Sequence, residues 1–173
     1  MDPERREDTV RLLRVLGDAW LREPDDELFA RLALLPPLAD DARALAPGDA
    51  AIAYAELFLQ MVPPYASLFL SDDGMLNAEP AEEVLRAYVR AGFEIAPAWR
   101  AGAPDHMGVE LHFISSLMES GSIAWRPFLA GYVLTWAPVC CLAVERAGVY
   151  PLYTSLARLT RDVLLALGDE TAR

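Results

Sequence analysis

The chain has 173 residues, 54% of them hydrophobic and 24% charged, a composition that is typical of one folded domain and excludes a disordered chain. Its 26 acidic and 15 basic residues leave a net charge of -11 without a basic stripe. This balance argues against nucleic acid or an anionic membrane surface as partners and favours a basic partner. No apolar region follows the Arg5-Arg6 pair, so we expect a cytoplasmic protein without a signal peptide.

The first third of the chain is predicted to be helical. Apolar residues of the first helix recur at helical spacing, opposite a charged face: Val10, Leu13, Leu16 and Trp20. Pro24-Asp25-Asp26 ends this helix and caps a second one, and Pro36-Pro37 breaks the chain before a short Ala-rich helix. The next helix, from about Ala50 to Met61, is predicted to place four large side chains on one side: Tyr54, Leu57, Phe58 and Met61.

The segment from Val62 to Gly74 departs from the helical pattern. Pro63-Pro64 prevents a continuous helix, yet Tyr65 and the triplet Leu68-Phe69-Leu70 are large apolar groups. Asp72-Asp73-Gly74 indicates a turn. We predict a loop that either packs on the core or forms one lip of a binding site, because irregular segments carrying aromatic residues often serve recognition. A short strand is an alternative for which the sequence offers no partner strand.

Both histidines lie in the stretch from Pro104 to Phe113, which opens a helix ending near Ser120-Gly121. It follows a helix predicted from Pro80 to about Ala91, stopped by Gly92, and a connector over 93–103. Asp105 suits the N-cap. His106 and Glu110 are four residues apart and share a face, so a groove could hold both at its mouth. The alternative is an ordinary capped helix with two solvent-facing histidines.

The run from Phe128 to Val144 contains no charged residue. It is shorter than the roughly 20 residues of a membrane span and contains Pro138, so we predict two buried helices that meet there. Cys140 and Cys141 are neighbours, a spacing unsuited to an ordinary disulfide, and should be buried thiols. Gly148 closes the second helix and Tyr150-Pro151 starts the last one. The prediction is an all-α, single-domain bundle of about eight or nine helices over 1–173.

Motifs for catalysis and metal binding are missing from the sequence. It has no glycine-rich phosphate loop, no HExxH and no CxxC. His106 and His112 are six residues apart, on different faces of one helix, and cannot chelate one metal from it. An acid–base pair of His106 with Asp105 or Glu110 is the remaining enzymatic alternative. We predict no metal, no cofactor and no catalytic activity.

Three groups of residues carry a resemblance to one known protein family. The first is Pro104-Asp105-His106, followed by Glu110-Leu111 and Phe113 on the same helix. The second is Pro63-Pro64-Tyr65-Ala66-Ser67 with its apolar triplet and Asp72-Asp73-Gly74, although many members carry Trp where this chain has Tyr65. The third comprises segments of the C-terminal helices: Phe128-Leu129, Trp136-Ala137-Pro138 and Tyr150-Pro151-Leu152-Tyr153. In their order along the chain the three groups resemble the TorD/DmsD/NarJ family of molybdoenzyme maturation chaperones, and the resemblance covers about Tyr54 to Leu165.

The resemblance implies a non-enzymatic, cytoplasmic chaperone of all-α fold. It would bind the twin-arginine signal peptide and the apo form of a molybdenum-cofactor oxidoreductase subunit, and delay export until the cofactor is inserted. The family's peptide-binding positions carry onto Pro104, Asp105 and His106, and onto Tyr65 and Ser67.

A twin-arginine peptide is a basic pair followed by an apolar stretch, so its receptor needs an apolar groove with carboxylates at one end. Tyr65, Leu68, Phe69 and Trp99 could supply the apolar part, and Asp72, Asp73, Asp105 and Glu110 the acidic part. The other hypothesis within the same fold is an assembly factor that docks on the mature part of its client. Exchange of helices between protomers could also give a homodimer.

Overall fold

The described part of the chain is built from α-helices. The computed structural model describes residues 1–72, 74–96 and 103–171, which form ten α-helices and no strands, so the all-α prediction is confirmed. The helices are α1 (Pro3–Leu21), α2 (Asp26–Leu32), α3 (Ala39–Ala44), α4 (Pro47–Tyr54), α5 (Ala66–Leu70), α6 (Glu79–Ala91), α7 (Met107–Glu119), α8 (Trp125–Gly131), α9 (Ala137–Ala147) and α10 (Pro151–Thr171).

Helices α1 and α7 pack closely because each presents a glycine at the contact. A Cβ placed on Gly108 would lie 2.5 Å from the carbonyl oxygen of Gly17 and 2.4 Å from Leu21 Cγ. Nearby, His112 Nε2 lies 3.0 Å from a carboxylate oxygen of Asp18. The side chain of His112 is therefore engaged against α1 and does not face open solvent as in the capped-helix alternative.

A π-helix, Ala55–Met61, continues α4 without a break. Tyr54, Leu57 and Phe58 are buried, but Met61 is 53% exposed, so the prediction that all four lie on one side was wrong for Met61. The physical reason is the wider turn of a π-helix, whose i→i+5 hydrogen bonds rotate later residues away from the face that α-helical spacing would select. The π-helix ends at Met61, two residues before Pro63.

The segment predicted as a loop contains the short helix α5. The two prolines do prevent a continuous helix, but they precede the helix, which begins at Ala66. The chain at Tyr65 forms an isolated antiparallel bridge with His106, so the extended stretch does have a partner, one residue pair long. Helix α5 raises the helix number above the eight or nine predicted.

The uncharged run from Phe128 to Val144 comprises the second half of α8, a 3-10 turn at Val133–Thr135, and most of α9. Pro138 lies in the first turn of α9, where its missing N–H costs no hydrogen bond. Cys140 and Cys141 are fully buried free thiols, as predicted. Within the described ranges no single helix is long and apolar enough to cross a membrane. The pair Trp125–Thr135 and Ala137–Ala147, bent by 44°, reaches that length and composition only jointly.

Candidate functional site

Helix α7 is capped by His106. The imidazole Nδ1 of His106 accepts a hydrogen bond from the backbone N–H of Gly108 at 3.1 Å, and the backbone of His106 is extended, as an N-cap requires. The prediction that Asp105 caps α7 was wrong by one residue. Because Nδ1 accepts, the proton of the neutral ring is on Nε2. Burial lowers the pKa of His106 to about 3, so this cap is an uncharged one near neutral pH.

The backbone at Tyr65 lies across the start of α7. The N–H of Ala66 donates to the carbonyl of Asp105 at 3.0 Å, and the N–H of Met107 donates to the carbonyl of Pro64 at 2.9 Å. These two bonds flank Tyr65 and His106, whose rings meet edge to face with centroids 4.8 Å apart. The structure therefore brings together two stretches that are about 40 residues apart in sequence, as the groove hypothesis requires.

We call the contact between the Tyr65 stretch and the start of α7 the α5–α7 junction. Asp105 joins it through its side chain and is fully buried. Its Oδ2 accepts from the backbone N–H of Ser67 at 2.6 Å and from the Ser67 hydroxyl at 2.5 Å. Its Oδ1 has no hydrogen-bond partner in the described part of the chain. Asp105 holds α5 against α7, and its carboxylate is covered in this conformation.

Glu110, one turn into α7, is also fully buried. Its Oε2 accepts from Trp136 Nε1 at 3.1 Å, while its Oε1 has no partner among the described residues. Burial raises the pKa of Glu110 well above its usual range; the Trp136 hydrogen bond opposes this shift and the charge of Asp105 adds to it. Both predicted acids are thus buried, whereas the sequence interpretation placed Glu110 at the mouth of a groove.

Tyr88 of α6, Asp105, Glu110 and Trp136 together form a polar cluster. The Tyr88 hydroxyl donates to the carbonyl of Pro104 at 3.0 Å. Burial raises the pKa of Tyr88 well above its usual range, and the carboxyls of Glu110 and Asp105 raise it further. Both acids therefore lie within electrostatic reach of the same hydroxyl.

The outer side of the junction is exposed and acidic. Phe69 is half-buried with its ring on Trp136, centroids 5.7 Å apart, whereas Leu70 is 45% exposed and Asp72 is exposed. Leu70 and Asp72 line an open groove of about 630 Å³ between α5 and the start of α6, which also presents the exposed carboxylates of Glu79 and Glu83. Of the remaining predicted site residues, Pro104 is half-buried, and Trp99 lies outside the described residues.

The sequence interpretation missed two residues of this cluster, Trp136 and Tyr88. Trp136 lies in the uncharged run, and nothing in its local pattern connects it with Glu110, 26 residues earlier. Tyr88 shares the buried face of α6 with Ala81 and Val84, a pattern that does not distinguish it from an ordinary core residue. A buried carboxyl needs a hydrogen-bond donor, and the indole N–H of a buried Trp is a common one. This requirement was the only signal in the sequence that could have indicated a partner for Glu110.

The arrangement does not favour catalysis or metal binding. His106 already uses Nδ1 for the helix cap, and its lowered pKa makes it a weak base. No group of three or more His, Cys, Asp or Glu side chains that could hold a metal occurs in the residues that the structure describes. What the junction combines is a covered pair of acids with an exposed acidic groove.

Comparison with known proteins gives consistent matches. The family model described as nitrate reductase delta subunit matches residues 21–142. The chain is 26% identical over 122 residues to the chaperone protein TorD of Vibrio parahaemolyticus, which covers 61% of this chain and 56% of that protein. It is 29% identical over 182 residues to the chaperone protein YcdY of Escherichia coli K12, with 92% and 93% covered.

The matched part thus spans about half the length of the TorD relatives and nearly all of YcdY. A crystal structure of an Archaeoglobus fulgidus protein assigned to redox enzyme maturation superposes with a TM-score of 0.64, covering 95% of this chain and 96% of that one. At 19% identity this last likeness concerns the fold alone.

Proposed function

The chain belongs to the nitrate reductase delta subunit family, which includes TorD-type chaperones of redox enzyme maturation, and from this premise we propose that it captures the twin-arginine signal peptide of a molybdenum-cofactor oxidoreductase subunit. It acts in the cytoplasm, without catalysis and without a cofactor of its own. By holding the leader and the apo-subunit, it delays export until the client's cofactor is inserted.

The observation that carries this proposal is the groove beside the α5–α7 junction. It combines three carboxylates, from Asp72, Glu79 and Glu83, with the exposed side chain of Leu70. A twin-arginine leader has the matching order of chemistry, a pair of guanidinium groups followed by an apolar stretch. Charge-assisted hydrogen bonds from guanidinium to carboxylate are the strong kind, and the net charge of -11 favours rapid capture of a basic peptide.

The site residues predicted from sequence keep distinct roles in the proposal. Asp72 meets the arginine pair from the solvent side, and Phe69 belongs to the apolar wall that receives the following stretch. Tyr65, Ser67, Pro104 and His106 form the junction that holds this wall in place. Asp105 and Glu110 are proposed inner ligands, and Trp99 stays a proposed apolar contact.

Calorimetry with a synthetic leader peptide tests the proposal. We expect binding of a peptide with paired arginines and an apolar stretch, weakening with added salt, and no binding of the same peptide with both arginines replaced by glutamine. The combined variant Asp72→Asn, Glu79→Gln, Glu83→Gln should bind roughly tenfold more weakly, since each exposed ion pair contributes up to about 1 kcal/mol. Asp169→Asn on α10 is the matched control, because Asp169 is exposed and lies outside the groove lining. Equal binding of both peptides would refute the proposal.

The alternative within the family is a chaperone that docks on the mature part of its client and ignores the leader. Co-purification with the full-length apo-subunit and with a leaderless version separates the two. The proposal expects retention to depend on the leader, whereas equal retention of the leaderless client would favour the alternative.

A further inference from the structure

Two buried carboxyls beside the groove are incompletely satisfied. Asp105 Oδ1 and Glu110 Oε1 are both fully buried and have no hydrogen-bond partner among the described residues. Buried polar atoms are nearly always paired, so each exception calls for a physical explanation. Two such oxygens in one cluster indicate a receptor for hydrogen-bond donors that this chain does not itself provide.

A single short segment contacts Asp105 directly and Glu110 through Trp136. From Tyr65 to Leu70 the chain contacts Asp105 directly, through the N–H and hydroxyl of Ser67. The same segment reaches Glu110 through a relay, because the Phe69 ring packs on Trp136 and Trp136 Nε1 donates to Glu110. Moving this segment away from α7 would release Asp105 Oδ2 from Ser67 and remove the Phe69 ring from Trp136, the donor to Glu110.

The Tyr65–Leu70 segment has few stabilising features of its own. Helix α5 has only five residues and no side-chain N-cap. It follows Pro63-Pro64, and its C-terminal side is held by the Ser71 hydroxyl, which donates to the carbonyl of Ser67. Helices this short have little stability of their own, so the segment depends on the few contacts already described.

We propose that the Tyr65–Leu70 segment is a gate over an inner guanidinium receptor formed by Asp105 and Glu110, and that this structure is its closed state. The inference rests on the proposed function: the first arginine meets the outer groove, and a second guanidinium enters when the gate moves. A planar guanidinium offers five N–H donors in a fixed fork, more than the two that Asp105 Oδ1 and Glu110 Oε1 lack.

An engineered disulfide tests the gate. Tyr65 and His106 form the narrow kind of antiparallel pair, with backbone hydrogen bonds on either side of them rather than between them, and this geometry suits a disulfide. In the Tyr65→Cys, His106→Cys variant, the oxidised protein should bind the twin-arginine peptide at least tenfold more weakly than the same protein after reduction. Equal binding in both redox states would overturn the gate. The native Cys140 and Cys141 are buried and should not interfere.

A second variant decides the matter if the double-cysteine protein binds no peptide in either state. Ala66→Gly lowers the helix propensity of α5 without altering a proposed ligand, so the open state becomes more populated and binding should tighten about two- to fivefold. Unchanged or weaker binding would overturn the gate. Ala166→Gly, at an exposed position of α10, is the matched control and should leave affinity unchanged.

These outcomes separate the two proposals. If the wild-type chain binds no twin-arginine peptide, the proposed function fails and the gate fails with it. If the peptide binds equally well to the oxidised and reduced proteins, only the gate fails, and binding is confined to the outer groove.

Discussion

One carboxylate oxygen of Asp105 accepts two hydrogen bonds from a single residue, Ser67, 38 positions earlier in the chain. The backbone N–H and the hydroxyl of Ser67 converge on Oδ2 at 2.6 and 2.5 Å, in a fully buried position. This contact ties α5 to the start of α7, and it is the contact that must break when the proposed gate opens.

The buried contact between Asp105 and Ser67 should contribute strongly to stability. Ser67→Ala is expected to lower the free energy of unfolding by about 1.5–3 kcal/mol, the range for hydrogen bonds to a charged group. Urea titration measures this loss. Ser155→Ala is a matched control, since its hydroxyl donates to Asp41 at 2.6 Å in a half-buried position and should cost less. A double-mutant cycle with Asp105→Ala should show coupling; additive losses would contradict the contact.

The buried His106 should make stability depend on pH. Its pKa is about 3 in the folded chain and 6.5 ordinarily, so below pH 6.5 the unfolded state binds more protons and stability falls as the pH falls. His106→Asn keeps an N-cap acceptor but does not titrate. Between pH 7.5 and 5.0 the wild type should therefore lose about 2 kcal/mol more unfolding free energy than the variant. Parallel pH profiles in urea titrations would show that His106 is not buried as described.

Glu110 should give a pH dependence of the opposite sign. Its pKa is raised in the folded chain chiefly by burial, so above pH 4.5 the unfolded state loses a proton that the folded state keeps, and stability falls as the pH rises. Glu110→Gln retains a carbonyl acceptor for Trp136 and removes this penalty. The variant should gain stability relative to the wild type from pH 4.5 to 7.5. A constant difference in thermal midpoint over that range would contradict this assignment.

The contact between α1 and α7 should not tolerate a methyl group. In Gly108→Ala the new Cβ would lie 2.5 Å from the carbonyl oxygen of Gly17, and a backbone atom cannot move aside cheaply. We expect a loss of about 2 kcal/mol or more in unfolding free energy, typical of overpacking. Gly48→Ala, with open space around its Cβ position, should be neutral or slightly stabilising and serves as control. Equal stability of the two variants would contradict the packing.

Local chemistry was enough to predict most helix boundaries. Gly92 and Gly148 both adopt the left-handed conformation at the C-terminal ends of their helices, as expected for the residue without a side chain. Asp25 caps α2 as predicted, because its carboxylate needs only an amide three residues ahead. These features depend only on residues within one turn of the helix end, so they can be predicted from the order of neighbouring residues.

The sequence by itself determined the all-α class, the acidic surface and the two segments that meet at the site. Only the tertiary structure decided that Asp105 and Glu110 are buried. The physical reason is that the state of a carboxyl depends on which donors reach it and whether water does. For these two acids the donors are Ser67 and Trp136, 38 and 26 residues away, brought close by packing rather than by helical periodicity.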